Sequence, residues 1–215
     1  MLQLPDHPKI DKDALIGGCT RIDVAVDLPQ LLAEFHSLPA ELWGGRGGRV
    51  GVHMAAEAIF LRGHAPAEGN LPIADREALD LLPCIRKLIE QLIPAPPMRC
   101  LLAKLAAGAT VALHVDRPDY FSKTIRIHVP IVTDPAVLMI AQGKAYRMAA
   151  GEVWALNNSN VHGVINDWSQ PRTHLICDFL PTPQLEALIL AGERDLGVTM
   201  AGIDERFARA TPVAG

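Results

Sequence analysis

The sequence predicts a mainly β fold with flanking helices, and three observations support this prediction. Residues 98–180 contain eight short apolar segments, separated by turn residues such as Asp-Pro, Gln-Gly and Asn-Asn. A helical pattern precedes them at 74–93, and another follows at 183–195. Short, evenly spaced strands of this kind are typical of an antiparallel sandwich or barrel. The predicted strands are 98–106, 110–115, 123–132, 136–141, 144–149, 152–157, 161–166 and 173–180.

The region before these strands, residues 1–97, shows a mixed pattern. A short helix is predicted at 28–39, and strands are predicted at 49–55 and 58–63. The glycine-rich segment 43–49 is interpreted as a flexible turn, because no Lys-Ser/Thr follows it as a phosphate-binding loop requires. Pro83 predicts that the 74–93 helix is kinked or divided into two pieces.

Chain length and composition favour one domain. A chain of 215 residues is of ordinary domain size. We expect an N-terminal region (1–97) that packs on a β core (98–180), followed by a C-terminal helix and tail (181–215). The four cysteines form no CxxC pair, so neither a structural zinc site nor a disulfide framework is expected.

Charge and hydropathy exclude several classes of partner. The net charge of −4 and the absence of a basic stripe predict no nucleic-acid partner. No apolar stretch reaches the ~18 residues of a membrane span. Pro5 and Asp6 lie where an export signal would need its apolar run. We therefore expect a cytoplasmic protein with no membrane contact, and its oligomeric state stays open.

Two candidate metal ligands lie two positions apart, His114 and Asp116 in the segment LHVD. On a strand, side chains at i and i+2 point to the same face, so both can reach one cation. His162, at the start of another predicted strand after an Asn-rich turn, would supply a third ligand. Two histidines and one carboxylate bind one face of an octahedral Fe(II) and leave the other positions open. The His-x-Asp pair alone is weak evidence, because a chain with 8 histidines and 24 acidic residues contains such a pair nearly by chance.

Arg126 and His128 share one face of a predicted strand, and Ile127 and Val129 share the other. In one interpretation the apolar face fills the core and the basic face is the wet outer surface. In the other, the basic face lines a cavity that receives a carboxylate, since buried basic side chains are costly without an anion. The alternation of the strand does not decide between the two.

Arg172 lies at the start of the last predicted strand and shares a face with His174, Ile176 and Asp178. It could be an ordinary exposed arginine at a strand end. It could also hold the far end of a dicarboxylate beside the metal, because a planar guanidinium pairs with carboxylates in a bidentate way.

Two segments, HVDRPDYFSKTIRIHVPI (114–131) and GEVWALNNSNVHGVINDWSQPRTHLICDF (151–179), resemble the aspartyl/asparaginyl β-hydroxylase family. That family belongs to the Fe(II)- and 2-oxoglutarate-dependent dioxygenases and also includes small bacterial enzymes such as proline 4-hydroxylase. The similarity covers roughly residues 98–180. It consists of His-x-Asp, Arg-x-His, Gly-Glu-x-Trp, an Asn-rich turn, a His, an Arg ten residues later, and a strand that ends in Asp.

The resemblance implies a double-stranded β-helix core, also called a jelly roll or cupin-like fold. It implies Fe(II) ligation by His114, Asp116 and His162, and binding of the distal 2-oxoglutarate carboxylate by Arg172. Arg126 and His128 would line the pocket for the co-substrate and the substrate, and which carboxylate each contacts stays open.

The implied reaction consumes O₂ and hydroxylates a C–H bond of an amino acid, an amino-acid-like small molecule or a peptidyl Asp or Asn. The animal peptidyl hydroxylases of the family lack the carboxylate ligand, so Asp116 places the chain closer to the bacterial small-molecule branch. Two alternatives stay open: a cupin-like metal enzyme that does not use 2-oxoglutarate, and a jelly-roll binding domain without catalytic activity.

Overall fold

The computed structural model describes residues 7–45, 52, 55–67 and 71–210. Most of the predicted elements of secondary structure form within these ranges. Numbered along the chain, the strands are β1 (Cys19–Ile22), β2 (Gly44–Gly45), β3 (Ala56–Arg62), β4 (Pro97–Leu105), β5 (Thr110–His114), β6 (Ile125–Val132), β7 (Val137–Ala141), β8 (Lys144–Tyr146), β9 (Val153–Leu156), β10 (His162–Asn166), β11 (Arg172–Phe179) and β12 (Val198–Thr199). The helices are α1 (Lys12–Leu15), α2 (Leu28–Ser37), α3 (Pro83–Lys87), α4 (Asp119–Ser122), α5 (Pro183–Leu190) and α6 (Ile203–Ala210).

The strands form two antiparallel sheets. The major sheet has the order β1-β9-β6-β11-β4-β3-β2, and the minor sheet has the order β12-β8-β7-β10-β5. From β4 to β11 the chain alternates between the sheets, except at β7 and β8, which are neighbours in the minor sheet. This winding is that of a double-stranded β-helix, so the predicted fold class is confirmed. Strands β1, β2 and β3, from the region before residue 98, extend the major sheet at its two edges.

The outer face of the major sheet is covered by helices. Alternate apolar residues of β6, such as Ile127, Val129 and Ile131, pack in one core cluster with Leu31 of α2 and Leu185 of α5. Burying each such side chain stabilises the fold by about 1.5–3 kcal/mol. Because the helices take up this face, the opposite face of the same strands is directed between the two sheets.

The inner faces of the two sheets enclose a second, smaller apolar core that includes Leu105, Met139, Trp154 and Val164. Strands β6 and β11 are buried along both faces for nearly their whole length. The interpretation that placed the basic face of β6, with Arg126 and His128, on the outer surface assumed that this face was wet. That assumption was wrong, because the helix layer removes water from the apolar face while the basic face lines the interior.

Proline and capping residues explain the positions of several helix ends. The predicted helix at 74–93 is divided into a 3₁₀ turn (Glu77–Leu81), α3, which begins at Pro83, and a π turn (Leu88–Leu92). A proline lacks the backbone N–H that a helix interior needs, and it is well suited to a first turn. Helix α2 begins after Asp27, whose side chain accepts a hydrogen bond from the backbone N–H of Gln30.

The prediction missed several short elements, among them β1, β12, α1 and α6. Most of the strand predicted at 49–55 lies outside the described residues. The four cysteines are free thiols. Among the described helices, none combines the length and the apolar character needed to span a bilayer.

Candidate metal centre and adjoining pocket

The fold brings His114, Asp116 and His162 together at one end of the space between the sheets. His114 is the last residue of β5 and lies opposite His162, the first residue of β10, in the antiparallel register. The imidazole centroids are 4.2 Å apart, and His114 Nε2 lies 3.8 Å from Asp116 Oδ1. One possible ligand atom from each residue lies within 4.8 Å of the other two. Such a cluster of two imidazoles and a carboxylate matches the facial triad of non-haem iron sites.

Backbone carbonyls orient both imidazoles. The Nδ1 of His114 lies 2.8 Å from the carbonyl oxygen of Ala112, and the Nδ1 of His162 lies 2.9 Å from that of Asn160. A carbonyl oxygen only accepts, so Nδ1 carries the hydrogen and donates it, and Nε2 is left with the lone pair that a metal needs. Burial is the main cause that lowers the pKa of His162, to about 3, so this ring is neutral near pH 7.

Asp116 is held as an anion. Its Oδ2 accepts hydrogen bonds from Arg126 Nη1 at 2.6 Å and from Asn158 Nδ2 at 3.0 Å. Burial by itself would raise the pKa of this carboxyl. The charge of Arg126 and the other neighbours outweigh it, so the pKa of Asp116 lies far below its ordinary value. The Oδ1 atom stays on the side of His114, where it can serve as a metal ligand.

Arg126 is enclosed by two carboxylates. Its Nε and Nη2 donate to Asp178 Oδ1 and Oδ2 at 2.8 and 3.1 Å, and its Nη1 donates to Asp116. Burial works against the charge, but Asp178 and Asp116 raise the pKa of Arg126 above its ordinary value. Most of its donors are therefore engaged within the protein, and its contact with the metal centre runs through the Asp116 side chain.

A small cavity of about 30 Å³ lies between the sheets beside the triad. Residues of both sheets line it, and those that carry polar side chains include His114, Arg126, His128, His162 and Arg172. The cavity therefore joins the candidate metal ligands to the predicted carboxylate-binding residue.

Arg172 has no counter-ion within the described ranges. Its side chain is buried, and its Nε has no hydrogen-bond partner there. Burial lowers the pKa of Arg172 to about 9. An uncompensated buried guanidinium is costly, so this end of the cavity is suited to bind an anion.

Two further imidazoles extend the polar wall beside Arg172. His128 and His174 are buried on β6 and β11, with their Nδ1 atoms 3.4 Å apart. Burial, followed by the charges of Arg172 and His128, lowers the pKa of His174 well below its ordinary value. His174 is therefore neutral near pH 7 and does not add to the charge of Arg172.

Five of the six predicted site residues line the cavity, and the sixth, Asp116, contacts two of these five, His114 and Arg126. The sequence prediction missed the hydrogen-bonding partners that hold them. Asp178 shares a strand face with Arg172, which was a usable signal, and Asn158 lies in the Asn-rich turn before His162. Lys12, whose Nζ donates to Asn158 Oδ1 at 2.6 Å, gave no signal, since it is distant in sequence from every motif.

Comparison with known sequences gives a family match. The sequence model described as aspartyl/asparaginyl beta-hydroxylase matches residues 69–181. This range covers more than half of the chain and contains all six predicted site residues.

Comparison with solved structures gives a shared fold. A prolyl hydroxylase from Trichoplax adhaerens, solved with a hypoxia inducible factor peptide, superposes with a TM-score of 0.51 at 12% identity, over 85% of this chain and 90% of that one. A Pseudomonas putida prolyl-4-hydroxylase gives a TM-score of 0.45 at 16% identity, over 80% and 96% of the two chains. A Burkholderia pseudomallei 2OG-Fe(II) oxygenase gives 0.47 at 12% identity, over 72% and 77%. We infer the common fold from the Trichoplax protein.

Proposed function

Since this chain belongs to the aspartyl/asparaginyl β-hydroxylase family of Fe(II)- and 2-oxoglutarate-dependent dioxygenases, we propose that it hydroxylates a C–H bond of an amino acid, an amino-acid-like small molecule or a peptidyl Asp or Asn. His114, Asp116 and His162 would hold the iron. Arg172 would hold the distal carboxylate of 2-oxoglutarate. The main support for this proposal is that the candidate metal ligands and the buried Arg172 lie beside the same cavity.

The donor atoms fit the metal. Two imidazole Nε2 atoms and one carboxylate oxygen suit Fe(II). His114 and His162 line the cavity, so further ligands of the metal could bind there. The buried Arg172 guanidinium fits the co-substrate, because it lacks an anion among the described residues. A metal enzyme without an anionic co-substrate would have no need for this uncompensated charge.

The protein's own groups have positioning roles. The backbone carbonyls of Ala112 and Asn160 hold the rings of His114 and His162. Arg126 and Asn158 hold Asp116 ionised and leave its Oδ1 available to the metal. Preorganised ligands avoid the cost of reorganisation when the metal binds.

When bound, the iron and 2-oxoglutarate supply the activation of O₂, in which one oxygen atom enters succinate with release of CO₂ and the other enters the substrate as hydroxyl. Arg172 would fix the co-substrate by a charge-assisted hydrogen bond. The apolar walls of the cavity, such as Met139 and Val164, exclude water from the reacting atoms. Holding one substrate C–H bond at the metal decides which position is hydroxylated.

We propose that His128 contacts a carboxylate of the co-substrate or of the substrate, because it lines the cavity on the same strand face as Arg126. Arg126 would act on the centre through Asp116, since its donors are engaged with Asp116 and Asp178. The substrate class follows the family, and the presence of Asp116 favours small amino-acid-like molecules over peptides.

The test is an anaerobic titration of the protein with Fe(II), with and without 2-oxoglutarate. We expect a visible metal-to-ligand charge-transfer band that needs both. Arg172→Ala should raise the 2-oxoglutarate concentration for half-saturation of the band at least tenfold, because a lost hydrogen bond to a charged group costs about 1.5–3 kcal/mol. Arg147→Ala, at an exposed arginine outside the cavity, is the matched control.

The ligand assignment is tested with His114→Ala and His162→Ala. Both variants should lose the band and also lose succinate formation with any substrate found by screening free amino acids and short peptides. Iron binding that does not respond to 2-oxoglutarate would favour a cupin-like enzyme of another kind. Failure of the wild-type chain to bind iron would favour a binding domain without catalysis.

A further inference from the structure

The four-residue helix α1 packs beside the Asn-rich turn at 157–160, which lies between the carboxylate ligand and the distal histidine ligand. Lys12 and Asp13, which are consecutive on α1, both donate or accept hydrogen bonds with side chains of this turn. Helix α1 lies outside the range 69–181 that matches the family. Lys12 and Asp13 therefore belong to a part of the chain that the family match does not cover.

Lys12 holds the side-chain amide of Asn158 from the side opposite Asp116. The Lys12 side chain is buried, and its Nζ donates to Asn158 Oδ1 and to the carbonyl oxygen of Phe121, each at 2.6 Å. An ammonium group has no acceptor, so it selects the oxygen of the amide. The nitrogen of the amide then faces Asp116 and donates to its Oδ2 at 3.0 Å. A flipped amide would place its oxygen against the carboxylate and its nitrogen against the ammonium, so both contacts hold the amide in this orientation.

Asp13 anchors the other end of the turn. Its Oδ1 accepts hydrogen bonds from Asn157 Nδ2 at 3.1 Å and from Asn160 Nδ2 at 2.5 Å. The backbone carbonyl of Asn160 accepts the Nδ1–H of His162. Asp13 therefore fixes the residue that sets the ring orientation and the tautomer of a metal ligand.

Backbone contacts join the two paths. The N–H of Asp116 donates to the carbonyl oxygen of Asn158 at 3.0 Å, and the N–H of Asn157 donates to the carbonyl oxygen of Gly18 at 3.0 Å. One short turn thus contacts the Asp116 backbone, the Asp116 side chain and the His162 ring. Displacing the turn would move two of the three ligands together.

We propose that Lys12 and Asp13 are positioning residues of the metal centre, which hold Asp116 and His162 in ligand geometry through Asn158 and Asn160. The proposal rests on the proposed function, since it assumes that the triad binds a metal. Mutating residues that hydrogen-bond to metal ligands and orient them commonly lowers metal affinity by about 10–100-fold.

The experiment measures metal binding without turnover. The metal-free full-length chain is titrated with Mn(II), and the free ion is quantified by electron paramagnetic resonance. Co(II) replaces it in a second series, because its visible spectrum reports the ligand geometry. The variants are Lys12→Met, Asp13→Asn and Asn160→Ala, and the last of these leaves α1 unchanged. The controls are Lys9→Met, an exposed lysine near α1, and Asp11→Asn, which keeps a good capping residue at the start of α1.

We expect the three test variants to bind Mn(II) about 10–100-fold more weakly than wild type, with an altered Co(II) spectrum, and the two controls to bind as wild type does. The affinity of the manganese-loaded protein for 2-oxoglutarate should change little, because Arg172 is not in contact with α1. Urea unfolding of each metal-free variant shows that it is folded; Asn160→Ala, at a half-buried residue, keeps the test valid if a substitution in α1 prevents folding.

Wild-type affinity and a wild-type Co(II) spectrum in the folded test variants would overturn the inference and leave the proposed function standing. Failure of the wild-type chain to bind Mn(II) or Co(II) would overturn the proposed function and, with it, the inference. The two failures are thus separated by the behaviour of the wild-type protein.

Discussion

Arg126 and Arg172 occupy similar positions and differ in one respect, the compensation of their charge. Both lie in the major sheet with side chains directed between the sheets, and their exposed fractions are 4% and 3%. Arg126 is enclosed by Asp116 and Asp178, and these carboxylates raise its pKa. Arg172 has no carboxylate partner among the described residues, and burial lowers its pKa to about 9.

The difference shows which part of the site is complete in the polypeptide and which part waits for a ligand. At the Arg126 end, carboxylates of the protein supply the negative charge that compensates Arg126, and Arg126 holds a metal ligand in its ionised form. At the Arg172 end, the balancing negative charge has to come from a bound molecule. A buried charge without a partner is therefore a stronger sign of a ligand site than a buried ion pair.

The largest change in the free energy of unfolding is expected when Arg126, the cation that compensates Asp116 and Asp178, is removed. Arg126→Met leaves Asp116 and Asp178 buried without their main cation. Breaking a buried ion pair from one side costs about 3–5 kcal/mol. We expect a loss of this size in the free energy of unfolding of the metal-free protein, measured with urea, together with weaker Mn(II) binding.

A surface arginine provides the control for this substitution. Arg86 also contacts several carboxylates, those of Asp75, Asp80 and Glu90, but its side chain is 30% exposed. Exposed ion pairs contribute about 0–1 kcal/mol each. A loss in Arg126→Met no larger than that in Arg86→Met would contradict the view that Arg126 is a necessary counter-charge. Adding Asp178→Asn to Arg126→Met should recover part of the stability without restoring metal affinity.

Replacing Arg172 is expected to raise the free energy of unfolding, by less than replacing Arg126 lowers it. Arg172→Met replaces an uncompensated buried cation by an apolar side chain of similar length. Apolar replacement of buried charges often stabilises a protein by about 1–4 kcal/mol. The metal-free variant should therefore unfold at a higher urea concentration than wild type while it loses 2-oxoglutarate binding.

The stabilisation that 2-oxoglutarate gives on binding provides a second test of the difference between Arg126 and Arg172. With Mn(II) bound, 2-oxoglutarate at 100 times its dissociation constant should stabilise the wild-type protein by about 2.7 kcal/mol and should not stabilise Arg172→Met. A metal-free Arg172→Met that is less stable than wild type would show that Arg172 has structural partners, and the contrast with Arg126 would then disappear.

The contrast between the arginines also explains what the sequence could predict. The strands from 98 to 180 were predicted nearly residue by residue, because alternating apolar segments and turn residues are local signals. Arg126 and Arg172 are both arginines on strands, and nothing local distinguishes them. The distinction depends on Asp178, which becomes the partner of Arg126 only because β6 and β11 pair in the register that places these two residues opposite each other.

The alternation of apolar and polar residues along the strands also did not predict that helices cover the outer face of the major sheet. Ile127 and Val129 indicated correctly that one face of β6 is apolar. The helices α2 and α5 and the elements at 77–92 cover this apolar face on the outer side of the major sheet. The opposite face of β6 is therefore directed between the sheets, where it is buried as well. Lys12 was out of reach for a related reason, since its contact with Asn158 joins residues far apart in the sequence.

The charge of Lys12 is compensated less than that of Arg126 and more than that of Arg172. The smallest predicted change in the free energy of unfolding is therefore at Lys12. Within the described part of the chain, its Nζ has oxygen acceptors but no carboxylate within hydrogen-bond distance. Burial, and then the charge of Arg126, lower its pKa to about 7, against the opposing charges of Asp178 and Asp116. The ordinary pKa of a lysine is about 10.4, so between pH 7 and that value the unfolded chain binds more protons than the folded chain. Under this condition stability rises with pH.

We therefore expect the Lys12 contribution to the free energy of unfolding of the metal-free protein to increase by about 2 kcal/mol between pH 7 and pH 9. Other groups titrate in the same interval, so the measured quantity is the difference between wild type and Lys12→Met at each pH. That difference should change in favour of wild type as the pH rises, whereas Lys9→Met should stay parallel to wild type, because its ammonium is exposed. Parallel profiles for wild type and Lys12→Met would mean that Lys12 is as well compensated as Arg126, and that a carbonyl and an amide oxygen suffice to hold a buried cation.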